Sequence, residues 1–271
     1  YGFLAGETSQ WEPRLVENTN VVEPPVDPKY HVTEDLAEHA IGWMKKQEAY
    51  APDKPFFMYF ATGGGHGPHH VAPEWAAKYK GKFDKGWDAI RQEILDRQIK
   101  LGIVPEGTKL APKPKAIPEW ESLSADQKRL YTKQIEVFAA YIDMVDYEIG
   151  RLIDTVDQIG QTENTMVIFV YGDNGTSAEG GANGMYSEMT YFNGVAETVP
   201  DMLKKIDKWG GPETYPHMAA GWAVMFDTPY KWTKQMGSDH GGTKVGMTIR
   251  WPKGIKTKGG LRTQFTHVID V

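Results

Sequence analysis

The 271-residue sequence contains no cysteine. Disulfides, thiolate metal sites and a cysteine nucleophile are therefore excluded within these residues. Compartment stays open, because both cytosol and periplasm tolerate a Cys-free protein. No apolar run approaches the roughly 18 residues of a membrane span. Blocks of like charge are missing too: 30 Lys and Arg are interspersed with 36 Asp and Glu, for a formal net charge of −6. That pattern argues against a nucleic-acid or anionic-membrane partner, and an anionic substrate would need local cations or a metal. There is no internal repeat. Residue 1 is a tyrosine inside the phrase YGFLAGETSQW, with neither an initiator Met nor a signal peptide, so the chain reads as a piece of a longer protein. With 40% hydrophobic residues it can bury a substantial core, in one large domain or two modest ones.

Along the chain, Trp11 to Val22 alternates weakly and reads as a short ribbon, closed by Glu23-Pro24-Pro25. Thr33 is expected to cap a helix running to about Tyr50, with Leu36, Ala40, Ile41 and Met44 on one face. Phe56 to Ala61 is too short for a helix and aromatic enough for a buried strand. A loop GGGHGPHH follows, then a short helix from about Pro73. Residues from Phe83 to Leu101 look helical and charged, and Lys109 to Pro118 reads as an extended surface excursion. Ser124 caps the longest helix, from about Ala125 to Ile159, and Gly160 ends it. A strand at Met166 to Tyr171, a helix near Glu197 to Trp209, a short helix near His217 and a strand at Val245 to Trp251 complete the pattern. Strands separated by long amphipathic helices indicate an α/β layered fold with a mostly parallel or mixed sheet. Ligands in such sheets bind outside the carboxyl ends of the strands, where the polar phrases after Ala61 and Tyr171 both fall.

The phrase VIFVYGDNG ends an apolar strand in an acid, an amide and a glycine. A plain turn is one explanation, since Asp and Asn bond their own backbone and Gly tolerates positive φ. The other is ligation: Asp173 and Asn174 offer three side-chain oxygens of the kind hard cations such as Ca²⁺ and Mg²⁺ take. Two residues make half a site at best. His66 stands between two glycines at the second strand end, free to project. His69 and His70 read as supporting or exposed, and H-x-x-H-H in a loop lacks the separated partner of a zinc site. Lys234 lies between aromatic residues and a His-Gly-Gly turn, which suits an anion-facing role as well as a solvated one.

Taken in order, PFFMYFATGGGHGPHHVAP, VIFVYGDNGTSAEGG, DTPYKWTKQMGSDHGGTKVGMTIRWPKGI and FTHVIDV resemble the sulfatase family within the alkaline-phosphatase superfamily, and YGFLAGETSQW is similar to the phrase following that family's nucleophile. The resemblance covers essentially the whole chain and is nearest to large bacterial arylsulfatases. It implies an alkaline-phosphatase-like fold, a mixed β-sheet sandwiched between helices, with residues 1–271 as the central part of one catalytic domain. It implies that Asp173 and Asn174 hold a metal, usually Ca²⁺ and less often Mg²⁺. It also implies that His66 contacts the sulfate and protonates the leaving oxygen, and that Lys234 bonds a sulfate oxygen of a small-molecule sulfate ester. A formylglycine nucleophile, made from Cys or Ser in a C/S-x-P-S-R phrase, is expected before residue 1, because no such phrase occurs here. The same holds for the early acidic pair of the metal site and the small C-terminal subdomain. In GSDHGG the histidine stands directly beside the glycines, so His240 is assigned no role. Two alternatives share these residues: a phosphonate monoester or phosphodiester hydrolase on the same scaffold, and a non-catalytic metal- or carbohydrate-binding module.

Overall fold

A computed structural model describes residues 1–271, and it combines helices with sheet, as expected of the α/β class. A three-stranded antiparallel ribbon comes first, from β1 (Gly2–Phe3), β2 (Leu15–Glu17) and β3 (Asn20–Val22). Helices α1 (Val32–Tyr50), α2 (Pro73–Ala77), α3 (Gly86–Lys100) and α4 (Ala125–Gln158) follow. Strand β4 (Val167–Tyr171) then precedes the short helices α5 (Glu188–Phe192), α6 (Val199–Leu203), α7 (Ala220–Phe226) and α8 (His240–Thr243), and β5 (Gly246–Arg250) pairs antiparallel with β4.

Helix α4 is the spine. Ser124 caps it as the sequence predicts: its hydroxyl accepts from the Gln127 amide while the Gln127 side chain accepts from the Ser124 amide, satisfying two otherwise orphan donors. Leu130, Tyr131, Ile135, Phe138, Tyr141 and Met144 are all buried along it, and Trp87 of α3, Trp120 and Trp222 of α7 complete the main core. At the far end, Leu152 and Val156 meet Ile41 and Met44 of α1. Helix α1 starts two residues earlier than a Thr33 cap implies, because the His31 ring is the cap. Its Nδ1 accepts from the Thr33 amide, and its Nε2 lies 3.2 Å from the His70 carbonyl, 39 residues away.

Several expectations change. Every strand pairing is antiparallel. The helix near Glu197 to Trp209 is only the five-residue α6 followed by a 3₁₀ turn, and the helix near His217 begins at Ala220. Phe56 to Ala61 is extended and alternates as a strand does, with Phe57 and Tyr59 exposed and Phe56, Met58 and Phe60 packed inward, but no strand of this chain pairs with it. Its backbone amides donate to no other backbone group. Side-chain alternation is local, whereas pairing needs a partner from elsewhere. The Pro-rich segment 109–118 is extended at the surface as expected and is tied down there: Arg91 of α3 donates to the Ala111 carbonyl at 2.9 Å and the Trp87 indole to the Pro118 carbonyl at 3.1 Å.

Candidate active site

The loop carrying His66 is held by its own backbone, with the Gly64 amide on Thr62 Oγ1 at 2.7 Å and the His66 amide on the Gly63 carbonyl at 3.1 Å. His66 Nδ1 lies 2.9 Å from the Gly67 carbonyl, which can only accept, so Nδ1 is the donor in this contact and Nε2 faces the other way. Gly67 is required for contact: a Cβ there would fall 2.3 Å from the His217 ring.

Lys234 meets His66 across 168 residues of sequence. Its Nζ sits 3.2 Å from His66 Nε2 and 3.2 Å from Glu179 Oε2, and its side chain is only 16% exposed. The Lys234 amide donates to the Thr176 carbonyl at 3.0 Å, two residues past Asn174. Burial alone would raise the Glu179 carboxyl, but the Ser177 hydroxyl and the Lys234 ammonium outweigh it and hold the group below its ordinary value.

Asp173 and Asn174 follow the end of β4, and both are exposed. Neither is hydrogen-bonded or ion-paired to His66 or Lys234. The glycine after them is demanded twice over, by φ +82° and by a Cβ that would stand 2.1 Å from the Gly241 carbonyl oxygen. A hard cation fits this pair in part: three exposed oxygens and a backbone open to close approach are the right chemistry. No group of three or more His, Asp or Glu that could hold a metal is present in the structure, and Asp173 and Asn174 have no further candidate ligand beside them.

Two histidines read as supporting or exposed are deeply buried, and His69 and His70 serve the interior. His70 Nδ1 accepts from the Gln10 amide at 3.2 Å and its Nε2 donates to the Thr214 carbonyl at 2.7 Å, while burial pushes the ring down to about 4. His69 lies against Phe138 with its nitrogens unpartnered, and burial holds it well below its ordinary value. His240, at the start of α8, contacts the Tyr230 ring and no candidate residue. Sequence reasoning missed Glu7, which stands 3.4 Å from His66 Nδ1, Glu179, which pairs with Lys234, and the Glu188–His217 pair packed against the Gly67 side of the loop. Glu179, between a serine and two glycines just after the Asp-Asn-Gly phrase, offered a local signal; the others offered none.

Behind Lys234, the Thr176 amide and hydroxyl both donate to Asp227, yet burial dominates and pushes that carboxyl up to about 7. A folded-state value above the unfolded one means that the folded protein holds this proton between about pH 4 and 7. The associated stability is complete below pH 4 and lost as pH rises through 7. Asp227→Asn keeps the acceptor oxygen and cannot ionise. Relative to the parent it is expected to gain about 2–4 kcal/mol in stability between pH 4 and pH 9, read by urea unfolding. Parallel pH profiles for the two proteins would show that Asp227 ionises freely.

The sulfatase family model matches residues 1–271. An arylsulfatase of Klebsiella aerogenes is 28% identical over 246 residues, 89% of this chain and 49% of that protein. An uncharacterized sulfatase of Schizosaccharomyces pombe is 30% identical over 252 residues, 91% of this chain and 43% of that protein. The chain thus spans about half the length of the curated relatives it matches. Among solved structures, Ps i-CgsB in complex with k-i-k-neocarrahexaose is similar at a TM-score of 0.44 and 17% identity, over 89% of this chain and 31% of that one. The yidJ structure from Bacteroides fragilis gives a TM-score of 0.39 at 18% identity, over 59% of this chain and 29% of that one.

Proposed function

The chain belongs to the sulfatase family, and from that premise we propose that His66 and Lys234 form the substrate-facing half of a site that hydrolyses small-molecule sulfate esters, of the arylsulfatase type. One observation carries the proposal: two phrases 168 residues apart deliver an imidazole and an ammonium to within 3.2 Å of each other. An ammonium and an imidazole brought together from distant phrases suit an anion that can accept from both.

In the resting arrangement the Lys234 ammonium is shared between His66 Nε2 and Glu179. A sulfate oxygen entering there is a stronger acceptor for the ammonium than a neutral ring nitrogen. Lys234 then turns to the sulfate, and Nε2 is released. To protonate a leaving oxygen, His66 must carry a second proton, at Nε2, while Nδ1–H stays on the Gly67 carbonyl and keeps the ring aimed. Glu179 stays behind to hold the lysine in reach, also accepting from Gln235 at 2.8 Å. Asp173 and Asn174 would hold Ca²⁺, with Mg²⁺ the less favoured ion, and a bound cation would stabilise negative charge on the sulfuryl oxygens. The nucleophile in this reading is a formylglycine that these 271 residues do not encode, so the chain by itself is expected to be inactive.

The test compares the 271-residue chain with a longer form carrying the residues its relatives have beyond the matched half. Each is assayed on an aryl sulfate and an aryl phosphonate, with calcium and with chelator. Sulfate turnover by the longer form alone, lost on chelation, is the expected result. Faster phosphonate turnover would move the assignment to a phosphonate or phosphodiester hydrolase, and no turnover of either by the longer form would leave a binding module.

A further inference from the structure

One buried residue lies against both loops that serve the site. The His217 ring presses on Gly67: a Cβ there would stand 2.3 Å from its Cε1 and 2.4 Å from its Nε2. The Gly67 carbonyl is the acceptor 2.9 Å from His66 Nδ1, so His217 abuts the residue that aims His66. The same histidine backs the other loop. A Cβ at Gly180 would stand 3.0 Å from His217 Cβ and 2.1 Å from the Met218 carbonyl oxygen. The residue before Gly180 is Glu179, whose Oε2 holds Lys234 Nζ at 3.2 Å. Backbone bonds tie the segment to both sides: the His69 amide donates to the Pro216 carbonyl at 3.0 Å, Met185 and His217 exchange amide bonds at 3.0 Å, and the Ala220 amide donates to the Gly181 carbonyl at 2.8 Å. Glu188 braces the ring, with its amide on the Tyr215 carbonyl at 2.9 Å and its Oε2 3.2 Å from His217 Nε2.

We propose that His217 is a positioning residue that sets the spacing of His66 and Lys234; this rests on reading that pair as the sulfate-facing half of the site. With glycine at both contacts, no side chain can yield, so the bulk of the ring and its Cβ fixes how close the two backbones come. On one side the spacing passes through Gly67 to the carbonyl that orients the His66 ring. On the other it passes through Gly180 to the carboxylate that holds the Lys234 ammonium. Removing the ring frees Gly67 to move into the space and draws the acceptor away from His66 Nδ1. A misplacement of about 1 Å at a reacting group costs up to about 100-fold in rate. Most of that cost falls on the proton delivered to the leaving oxygen, so it grows as the leaving group becomes more basic.

Three variants of the longer form carry the test: His217→Ala, Gly67→Ala and the two together. His217→Ala is expected to lower kcat about tenfold on nitrophenyl sulfate and about 100-fold on phenyl sulfate, whose leaving oxygen needs the proton more. A smaller folded fraction alone would lower both equally. Gly67→Ala, which drives a methyl into the His217 ring, should lose about as much. The double variant should recover about tenfold over Gly67→Ala, because the methyl takes up part of the vacated space. Independently of turnover, NMR of the 271-residue chain with ¹⁵N-labelled histidine should show the His66 proton held at Nδ1 in the parent. In His217→Ala it should be shared between both ring nitrogens. Equal losses on the two esters, no recovery in the double variant, or a His66 ring unaltered by His217→Ala would overturn the proposal. The NMR change together with a longer form that hydrolyses no sulfate ester would uphold the spacing role and remove the sulfatase reading instead.

Discussion

Replacing Lys234 with alanine in the active longer form is expected to lower kcat/KM for an aryl sulfate by about 10²–10³-fold. The ammonium is the only cationic side chain in contact with His66, its side chain is 84% screened from solvent, and its backbone is fixed to the Thr176 carbonyl. A preorganised charge of this kind contributes far more to a developing anion than a mobile surface lysine would. The loss should fall mainly on kcat, because charge on the sulfuryl oxygens and the leaving oxygen grows toward the transition state. Arginine is not expected to rescue, since a planar fork cannot occupy the narrow space between His66 Nε2 and Glu179 Oε2 as a point charge does. Steady-state kinetics on the parent, Lys234→Ala and Lys234→Arg decide the matter, alongside a thermal melt to show that the fold survives. A loss under about threefold would remove Lys234 from the site.

The largest stability effect is expected at Trp222→Ala, about 3–5 kcal/mol, a large part of a typical domain's margin. Trp222 is fully buried on α7, and its ring meets Trp87 and Trp120, each at a centroid distance of 5.3 Å, and Phe83 at 5.8 Å. Its indole N–H donates to the Tyr131 carbonyl of α4 at 2.9 Å. Truncation removes the ring from between α3 and α4, and rigid neighbouring indoles cannot collapse into the space. Trp222→Phe keeps most of the apolar contact and loses the hydrogen bond, so its cost should be nearer 1–2 kcal/mol. Urea unfolding followed by far-UV circular dichroism gives both values. Equal costs for Ala and Phe would mean that the hydrogen bond, rather than the packed ring, dominates.

Features that depend on neighbours a few residues apart could be read directly from the sequence. The Ser124 cap and the apolar face from Leu130 to Val156 follow from i, i+3 and i, i+4 contacts, so α4 appears where its pattern puts it. The apolar run from Val167 to Tyr171 ends at Gly172 as expected, because positive φ is a local demand. The ordered phrases around His66, Asp173 and Lys234 carried the family on their own, and the family model matches the same residues.

Only the tertiary structure decided what surrounds those residues. Helix α1 is capped by His31 rather than Thr33 because the other ring nitrogen finds a carbonyl at residue 70. His69 and His70 lie in the interior because Gln10, Thr214 and Phe138 close over them from distant parts of the chain. Phe56 to Ala61 alternates as a strand and stays unpaired, since no other strand of this chain is placed beside it. Most of all, Glu7 meets His66 and Glu179 meets Lys234, with the Glu188–His217 pair behind them, from four separate segments of which only that of Glu179 carried a local signal. Capping, periodicity and turn conformation are set by contacts within a few residues. The charge environment of the half-exposed His66 imidazole is set by which loops the fold closes against it, and no local pattern encodes that.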